Sequence, residues 1–475
     1  MSSASPPFSA CTAPLPPTPG ALVGRAGEAW KPRRRLLYQQ RLPFLFLVVW
    51  LLAAVPAAHG QVPVVRPDST LRPAAELLGA VADSVVLVVP ETPLPHTATA
   101  RPSLADFGYA DSVFAALAAR GRWAALDSAV QVARQLGSDY PALHRYRGQA
   151  ALHRERPAQA LRAYEAALRT NPLDTLARYG LSLAYLQLNQ PGPAALLARA
   201  LPDSLRRPLH LAGFRALTGV EVEGGAQFPN TSHRGPSAFG RLGFSSRLSP
   251  RVSLTQNLTH FSQSLDQPDD ERRGFDRRYR IRQNQYHALL AVQLAPRWRA
   301  LAGYHVLSSD LGRRESPIGQ MGYLALAYAR PSYTVQAGFY AGTLTDTARI
   351  QTDLRLTVYP LGNLRLYGFG RASLVRSAGR SYPNSVLGVG GRLHRRAWLE
   401  AYGGLGLVPV LAEVDGTYVY NLLDPVRARA GASLLLLLPK QCSLRLAGST
   451  ERRRDAFDGT YYSLQSLSTT LAWTW

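Results

Sequence analysis

Five histidines in the C-terminal half, His233, His260, His287, His305 and His394, have the chemistry of a general base near neutral pH. A base does useful work only beside a nucleophile or a second acid at fixed spacing, and none of the five has such a companion. No G-x-S-x-G turn and no H-E-x-x-H helix occurs in the chain. Gly388-Val389-Gly390 sits in alternating sequence with no helix after it, so it is not a phosphate loop. Cys11 and Cys442 are the only cysteines, too few for a thiolate zinc site. No catalysis, cofactor or metal is expected. The side chains with a collective chemistry are arginines: Arg355, Arg427, Arg429 and Arg445 fall on the polar parity of their segments, with Arg365 and Arg371 as further candidates. Gathered around a lumen, such arginines would favour anions.

Strands must position them. In QTDLRLTVYP, Leu354, Leu356 and Val358 alternate with Asp353, Arg355 and Thr357. The segments RVSLTQNLTHF and PVRARAGASLLLLLP alternate in the same way, and side chains on a strand point to opposite faces in turn. Similar segments occur at 217–228, 237–248, 279–294, 298–309, 319–330, 333–345, 363–376, 385–394, 397–408, 443–452 and 460–475. Joints as short as Pro331-Ser332 imply antiparallel hairpins. The polar insertions 262–278 and 308–317 alternate with these tight joints, as when one rim carries long loops and the other short turns. The spacing predicts an antiparallel transmembrane β-barrel over 215–475 with roughly twelve to sixteen strands. Tyr323, Tyr328, Tyr333, Tyr359, Tyr418, Tyr420, Tyr461 and Tyr462 near strand ends are expected to form interface girdles. The last stretch, YYSLQSLSTTLAWTW, places Trp475, Trp473, Leu471 and Leu467 on one face and small polar residues on the other.

Upstream the period changes. Residues 107–140, 141–174 and 175–208 superimpose every 34 residues. Position 8 of each unit is Phe114, Gly148 and Ser182, position 20 is Leu126, Ala160 and Ala194, position 24 is Val130, Tyr164 and Ala198, and position 27 is Ala133, Ala167 and Leu201. Small residues at positions 8 and 20 let paired helices approach, and larger ones at 24 fill the space to the next unit. Gly121, Pro157 and Pro191 break the helices, and Pro172 marks a connection between units. With Gly148, Ala160, Tyr164, Ala167 and Pro172 in place, this stretch resembles tetratricopeptide repeats, although His144 and Arg147 stand where that family has large apolar or aromatic residues. The resemblance implies a short α-solenoid that binds a partner protein.

Residues 31–60 run from the basic cluster Lys31, Arg33, Arg34, Arg35 and Arg41 through an apolar core at 42–55 to Ala58-His59-Gly60, the order of a secretory signal peptide. Residues 1–60 therefore read as an N-terminal extension and signal peptide, and the Pro-rich residues 61–106 as a linker. The formal charge of +23 comes with 54 Lys and Arg residues, of which only Lys31 and Lys440 are lysine. That skew fits codon bias, and the basic residues form no stripe, so nucleic acid is not expected as a partner.

The last strand resembles the C-terminal signal by which bacterial outer-membrane barrels are recognised for assembly, through Trp475, Trp473, Leu471 and Leu467. Leader, repeats and barrel in this order resemble exopolysaccharide export porins and the smaller YaiO-type outer-membrane proteins. The resemblance implies a bacterial outer-membrane location with the repeats in the periplasm. Outer-membrane lipid, the barrel assembly machinery and a periplasmic protein would then be its partners. A conduit for exopolysaccharide or a small solute is the expected function, with a non-conducting adaptor or, less favoured, a barrel enzyme as alternatives.

Overall fold

The computed structural model describes residues 103–475 apart from 212, 233, 267–277, 311–317, 345–346, 409–410, 421–423 and 457. The expected signal peptide and all but the last residues of the expected linker lie outside the described residues.

Six helices come first: α1 (Phe107–Ala119), α2 (Trp123–Gln135), α3 (Pro141–His153), α4 (Pro157–Thr170), α5 (Thr175–Gln187) and α6 (Pro191–Ala198). They form three consecutive pairs whose first helices begin at 107, 141 and 175 and whose second helices begin at 123, 157 and 191, so both recur every 34 residues. Local chemistry sets these limits. Asp106 and Asp174 accept hydrogen bonds from Gly108 and Ala177 backbone N–H groups, each at 2.9 Å, which caps α1 and α5. Proline opens α3, α4 and α6, where its missing N–H costs nothing. The turn inside each pair needs one left-handed residue, and Gly121, Glu155 and Asn189 supply it at the same repeat position, with φ of 64°, 54° and 54°.

Tyr164 of α4 is the centre of the helical core and is 2% exposed. A Cβ on Gly148 of α3 would lie 2.7 Å from its ring, and one on Gly180 of α5 only 2.2 Å, so both neighbours must be glycine. Ala160 and Ala167, on the same helix, are fully buried in this core, and Pro172 lies exposed in the turn before α5. A short helix, α7 (Asp203–Arg206), and a 3-10 turn (Arg207–Leu209) lead to the sheet.

Sixteen strands follow in the order β1 (Arg215–Pro229), β2 (Arg234–Arg247), β3 (Val252–Asp266), β4 (Arg278–Ala295), β5 (Trp298–Asp310), β6 (Gly319–Arg330), β7 (Tyr333–Leu344), β8 (Thr347–Val358), β9 (Leu366–Ser377), β10 (Arg380–His394), β11 (Ala397–Val408), β12 (Leu411–Glu413), β13 (Tyr418–Tyr420), β14 (Val426–Leu437), β15 (Cys442–Arg454) and β16 (Tyr461–Thr474). Fourteen of them close into an antiparallel barrel, with β11 paired to β14 and β16 paired back to β1 through registers such as Val222 with Leu471. The remaining two, β12 and β13, form a separate hairpin.

Alternation sorts the wall into two faces. On β8, Ile350, Leu354, Leu356 and Val358 are exposed on the outside, while Gln351 is buried and Asp353 and Arg355 face the lumen. On β16, Leu467, Leu471 and Trp473 are exposed on the outer face, as is Trp475 just after the strand, and the buried Tyr462 and Leu464 point inward. An apolar exterior over a polar interior is the reverse of a soluble barrel. Fourteen strands about 4.8 Å apart and tilted by about 40° enclose a ring roughly 28 Å across, backbone to backbone.

Parity also corrects the expected aromatic girdle. Tyr333 and Tyr461 are exposed at strand ends, and Tyr328 packs on Trp298 with ring centroids 4.7 Å apart. Tyr323, Tyr462 and Tyr418 are not girdle residues. Tyr323 and Tyr462 are buried on the inward parity of their strands, and Tyr418 belongs to the inner hairpin. Proximity to a strand end is a weaker signal than parity. The side chain of Tyr420 lies outside the described residues.

Candidate functional site in the lumen

After β11 the chain folds into the barrel. Its hairpin turns at Val414, Asp415 and Gly416, whose φ values of 48°, 58° and 88° are all left-handed. Two consecutive non-glycine residues in that region carry a conformational cost of the order of 1 kcal/mol each. The wall offsets this through a set of polar contacts. The Ala412 N–H donates to Gln351 at 3.0 Å, and Gln351 donates back to the Ala412 carbonyl at 2.8 Å. Arg371 donates to the Glu413 carboxylate at 2.8 Å and Arg429 donates to it at 2.6 Å, with a second short bond from Arg429. Asp415 accepts from Tyr323 at 2.8 Å and from Gln336 at 2.7 Å, and Arg355 stands 3.8 Å away.

Backbone carbonyls complete the attachment. His287 donates from Nε2 to the Asp415 carbonyl at 3.1 Å, and His305 donates from Nδ1 to the Gly416 carbonyl at 2.8 Å. At the far end Tyr418 donates to Glu223 at 2.7 Å, and the Arg241 guanidinium lies 4.7 Å over the Tyr418 ring. The hairpin thus holds β1, β2, β4, β5, β6, β7, β8, β9 and β14, nine of the fourteen barrel strands. The space left beside Ala412, lined by Met321, Tyr340, Leu344, Arg349, Gln351 and Val375, is about the size of one water molecule.

The arginines singled out by parity separate into distinct settings. Arg355 and Arg429 face the hairpin. Arg445 shares the inward parity of Glu451 and Arg453 on β15 and is exposed. Arg427 does not face the lumen: a bulge between Val426 and Ala428 interrupts the alternation, and Arg427 donates to the outward Tyr461 hydroxyl at 2.8 Å. Arg371 is buried between Asp353 and Glu413. Arg365 belongs to the β8–β9 turn and points away from the lumen to the helices. Of the histidines, His287 and His305 hold hairpin carbonyls and His260 bonds Asn284 at 2.8 Å. Among the described residues no group of three or more His, Cys, Asp or Glu side chains could hold a metal.

Sequence reasoning did not find the hairpin. Its only signal was the acidic pair Glu413 and Asp415 inside a segment too long for a tight turn, and that points inward only once the arginine wall is in place.

A second set of contacts ties the helices to the short-turn rim. Glu155, the left-handed residue between α3 and α4, accepts from Arg365 at 3.0 Å and from Arg392 at 2.7 Å, and its carbonyl accepts from Asn363 at 3.1 Å. The Ala158 N–H donates to the Gly362 carbonyl at 3.2 Å, and Glu165 accepts from Arg297 in the β4–β5 turn at 3.1 Å. The helical array therefore reaches the rim at turns on well-separated sides of the ring. Partial burial pushes the Glu155 carboxyl up, but its bonds to Arg365 and Arg392 outweigh this and hold it below the ordinary carboxylate value. A depressed folded pKa gives stability that is present above the free carboxylate value and lost as pH falls through the folded one. After correction for the intrinsic pH dependence of amide exchange, protection around 152–158 and 360–366 should therefore fall several-fold at acid pH, with no comparable change between pH 6 and 8. Glu155→Gln should give the same loss of protection already at neutral pH, an effect of about 0.5–1 kcal/mol for a half-exposed ion pair.

No protein-family model and no curated protein matches the chain. Among solved structures it is similar to the P. putida toluene transporter TodX, at 10% identity over 59% of this chain and 92% of that one, with a TM-score of 0.39. It is also similar to the Acinetobacter baumannii outer membrane protein Omp33, at 7% identity over 55% of this chain and 99% of that one (TM-score 0.32). A bacterial polysaccharide outer membrane secretin is similar at 11% identity, again over 55% and 99%, with a TM-score of 0.33.

Proposed function

We propose that this chain is a gated conduit of the bacterial outer membrane. In this reading the barrel spans the lipid, β16 carries the outward aromatic face used in assembly, and the helix pairs stand at the periplasmic rim as tetratricopeptide-like repeats. The hairpin at 411–420 is the closed gate. The observation that carries the reading is the polar character of the hold: the hairpin is hydrogen-bonded to eight strands through carboxylates, amides, histidines, tyrosines and arginines, and meets a ninth through Arg241 over the Tyr418 ring. Water can take over such contacts one by one when the hairpin withdraws, because each is a polar bond that solvent can replace.

A second reading is favoured by the helix–rim contacts of Glu155 and Glu165: the barrel is a stoppered anchor that presents the repeats to a periplasmic protein. Either way the chain should fractionate with outer membranes and migrate differently on a gel before and after boiling. Planar-bilayer recordings of the full chain separate the two. A gated conduit gives brief, rare openings between long closed periods, and complete silence even at high voltage favours the anchor.

A further inference from the structure

We infer that Arg355, Arg371 and Arg429 form a recognition site for a carboxylate-bearing solute, and that Glu413 and Asp415 occupy it as internal stand-ins. This inference rests on the gated-conduit reading and names the class of cargo. The Glu413 carboxylate is bound as a carboxylate ligand would be: the Arg429 fork reaches both of its oxygens, and Arg371 donates a further bond at 2.8 Å. Arg371 also donates through two nitrogens to Asp353 at 3.0 and 2.5 Å, which fixes its plane before any ligand arrives. Such a pre-set guanidinium is suited to exchanging one carboxylate for another.

The charge balance points the same way. Arg241 has its own wall partners in Glu221 and Glu223, so its charge does not depend on the hairpin. Arg355 pairs with Asp415 and Arg429 with Glu413, both on the hairpin, and Arg371 is shared by Asp353 and Glu413. Withdrawing the hairpin removes two carboxylates from beside three arginines and shifts the wall at that level toward positive charge. Anions are then drawn to it.

The site has two points of attachment. Arg371 and Arg429 converge on Glu413, and Arg355 approaches Asp415. Arg355 and Arg371 are register partners on β8 and β9, and Glu413 and Asp415 are two residues apart, so the two points lie side by side. A solute with two or more carboxylates, whether a small acid or a chain, fills both points, and a single carboxylate fills one. Tyr418, its hydroxyl on Glu223, leaves with the hairpin and frees further polar wall.

Trigalacturonate, citrate and maltotriose probe an acidic oligosaccharide, a small polycarboxylate and a neutral oligosaccharide. In detergent, Glu413→Gln combined with Asp415→Asn in the full chain should bind trigalacturonate at least tenfold more tightly than the unchanged protein does, because the internal competitor is gone. Adding Arg371→Gln and Arg429→Gln should remove at least tenfold of that binding, and maltotriose should not bind. Citrate matching trigalacturonate supports a small-acid cargo at the same site, and a preference for trigalacturonate supports a polymer. Equal binding of maltotriose, no binding, or binding indifferent to the arginines overturns the site. Should the acid-to-amide variant fail to fold, hydrogen exchange on the unchanged protein decides: millimolar trigalacturonate should speed exchange at 412–418 and maltotriose should not, and equal traces overturn the site. Binding is read without current, so selective binding in a protein that never conducts removes the conduit and keeps the site. Conduction without acid selectivity does the opposite.

Discussion

Replacing residues 411–420 with a short Gly-Ser linker should turn rare openings into a steady conductance on the order of 1 nS in 1 M KCl. The estimate follows from the barrel. A ring roughly 28 Å across, less side chains on each wall, leaves an aqueous passage of roughly 10–15 Å once nothing crosses it. The lower end is the better figure, because Leu301, Met321, Tyr323, Tyr340 and Leu344 are buried on the inner face and narrow that side. A milder variant acts on the same hold. Arg371→Gln removes the guanidinium shared by Asp353 and Glu413, both of which lie in poorly solvated surroundings. Breaking such a pair on one side typically costs about 3–5 kcal/mol, much of it from the carboxylate left behind. Only part of that falls on the closed state, because Asp353 stays in the wall, so open probability should rise by about one to two orders of magnitude. A linker variant that folds, shows heat-modifiable migration and still passes no current would identify the barrel as an anchor.

The barrel was legible because its rule is local. Every one of the fourteen barrel strands overlaps a segment visible from alternation, since one face meets an apolar medium and the other does not. The helix pairs were legible for a related reason: repeated packing problems recur with repeated residues, and Tyr164 between Gly148 and Gly180 is one such solution. The lumen was not legible. Whether Arg427 points in or out depends on a bulge at Val426, which leaves no mark in the sequence pattern. Tyr323 and Tyr418 carry the same ring as Tyr333 and Tyr461, and only their parity or their place in the hairpin decides between lumen and girdle. The hairpin itself is two three-residue strands, too short for any period, and it is held by partners drawn from nine other strands. Contacts of that sequence separation appear only once the ring is closed.

Tyr164→Ala should unfold the helix pairs and leave the barrel standing. The ring is 2% exposed, lies against both Gly148 and Gly180, and joins the second helix pair to the third. Deleting a buried aromatic side chain costs about 3–5 kcal/mol when its surroundings cannot collapse. Collapse is blocked here, because the facing residues are glycines with no side chain to move inward. An array of three pairs has few other interfaces to share the loss, since each pair contacts only its neighbours. Gly180→Leu should do comparable damage by the opposite route, as its Cβ alone would lie 2.2 Å from the ring. Limited proteolysis should then cut freely within 107–198 and spare 215–474, with gel migration still changed by boiling. The sparing follows from how the two parts meet. They touch through exposed or half-exposed pairs such as Glu155 with Arg365 and Glu165 with Arg297, worth about 1 kcal/mol or less each. The barrel closes on its own strand pairs and needs none of them. If the barrel were lost together with the helices, its closure would depend on the array, and the helix pairs would have to be read as part of the membrane fold and not as a module docked on its rim.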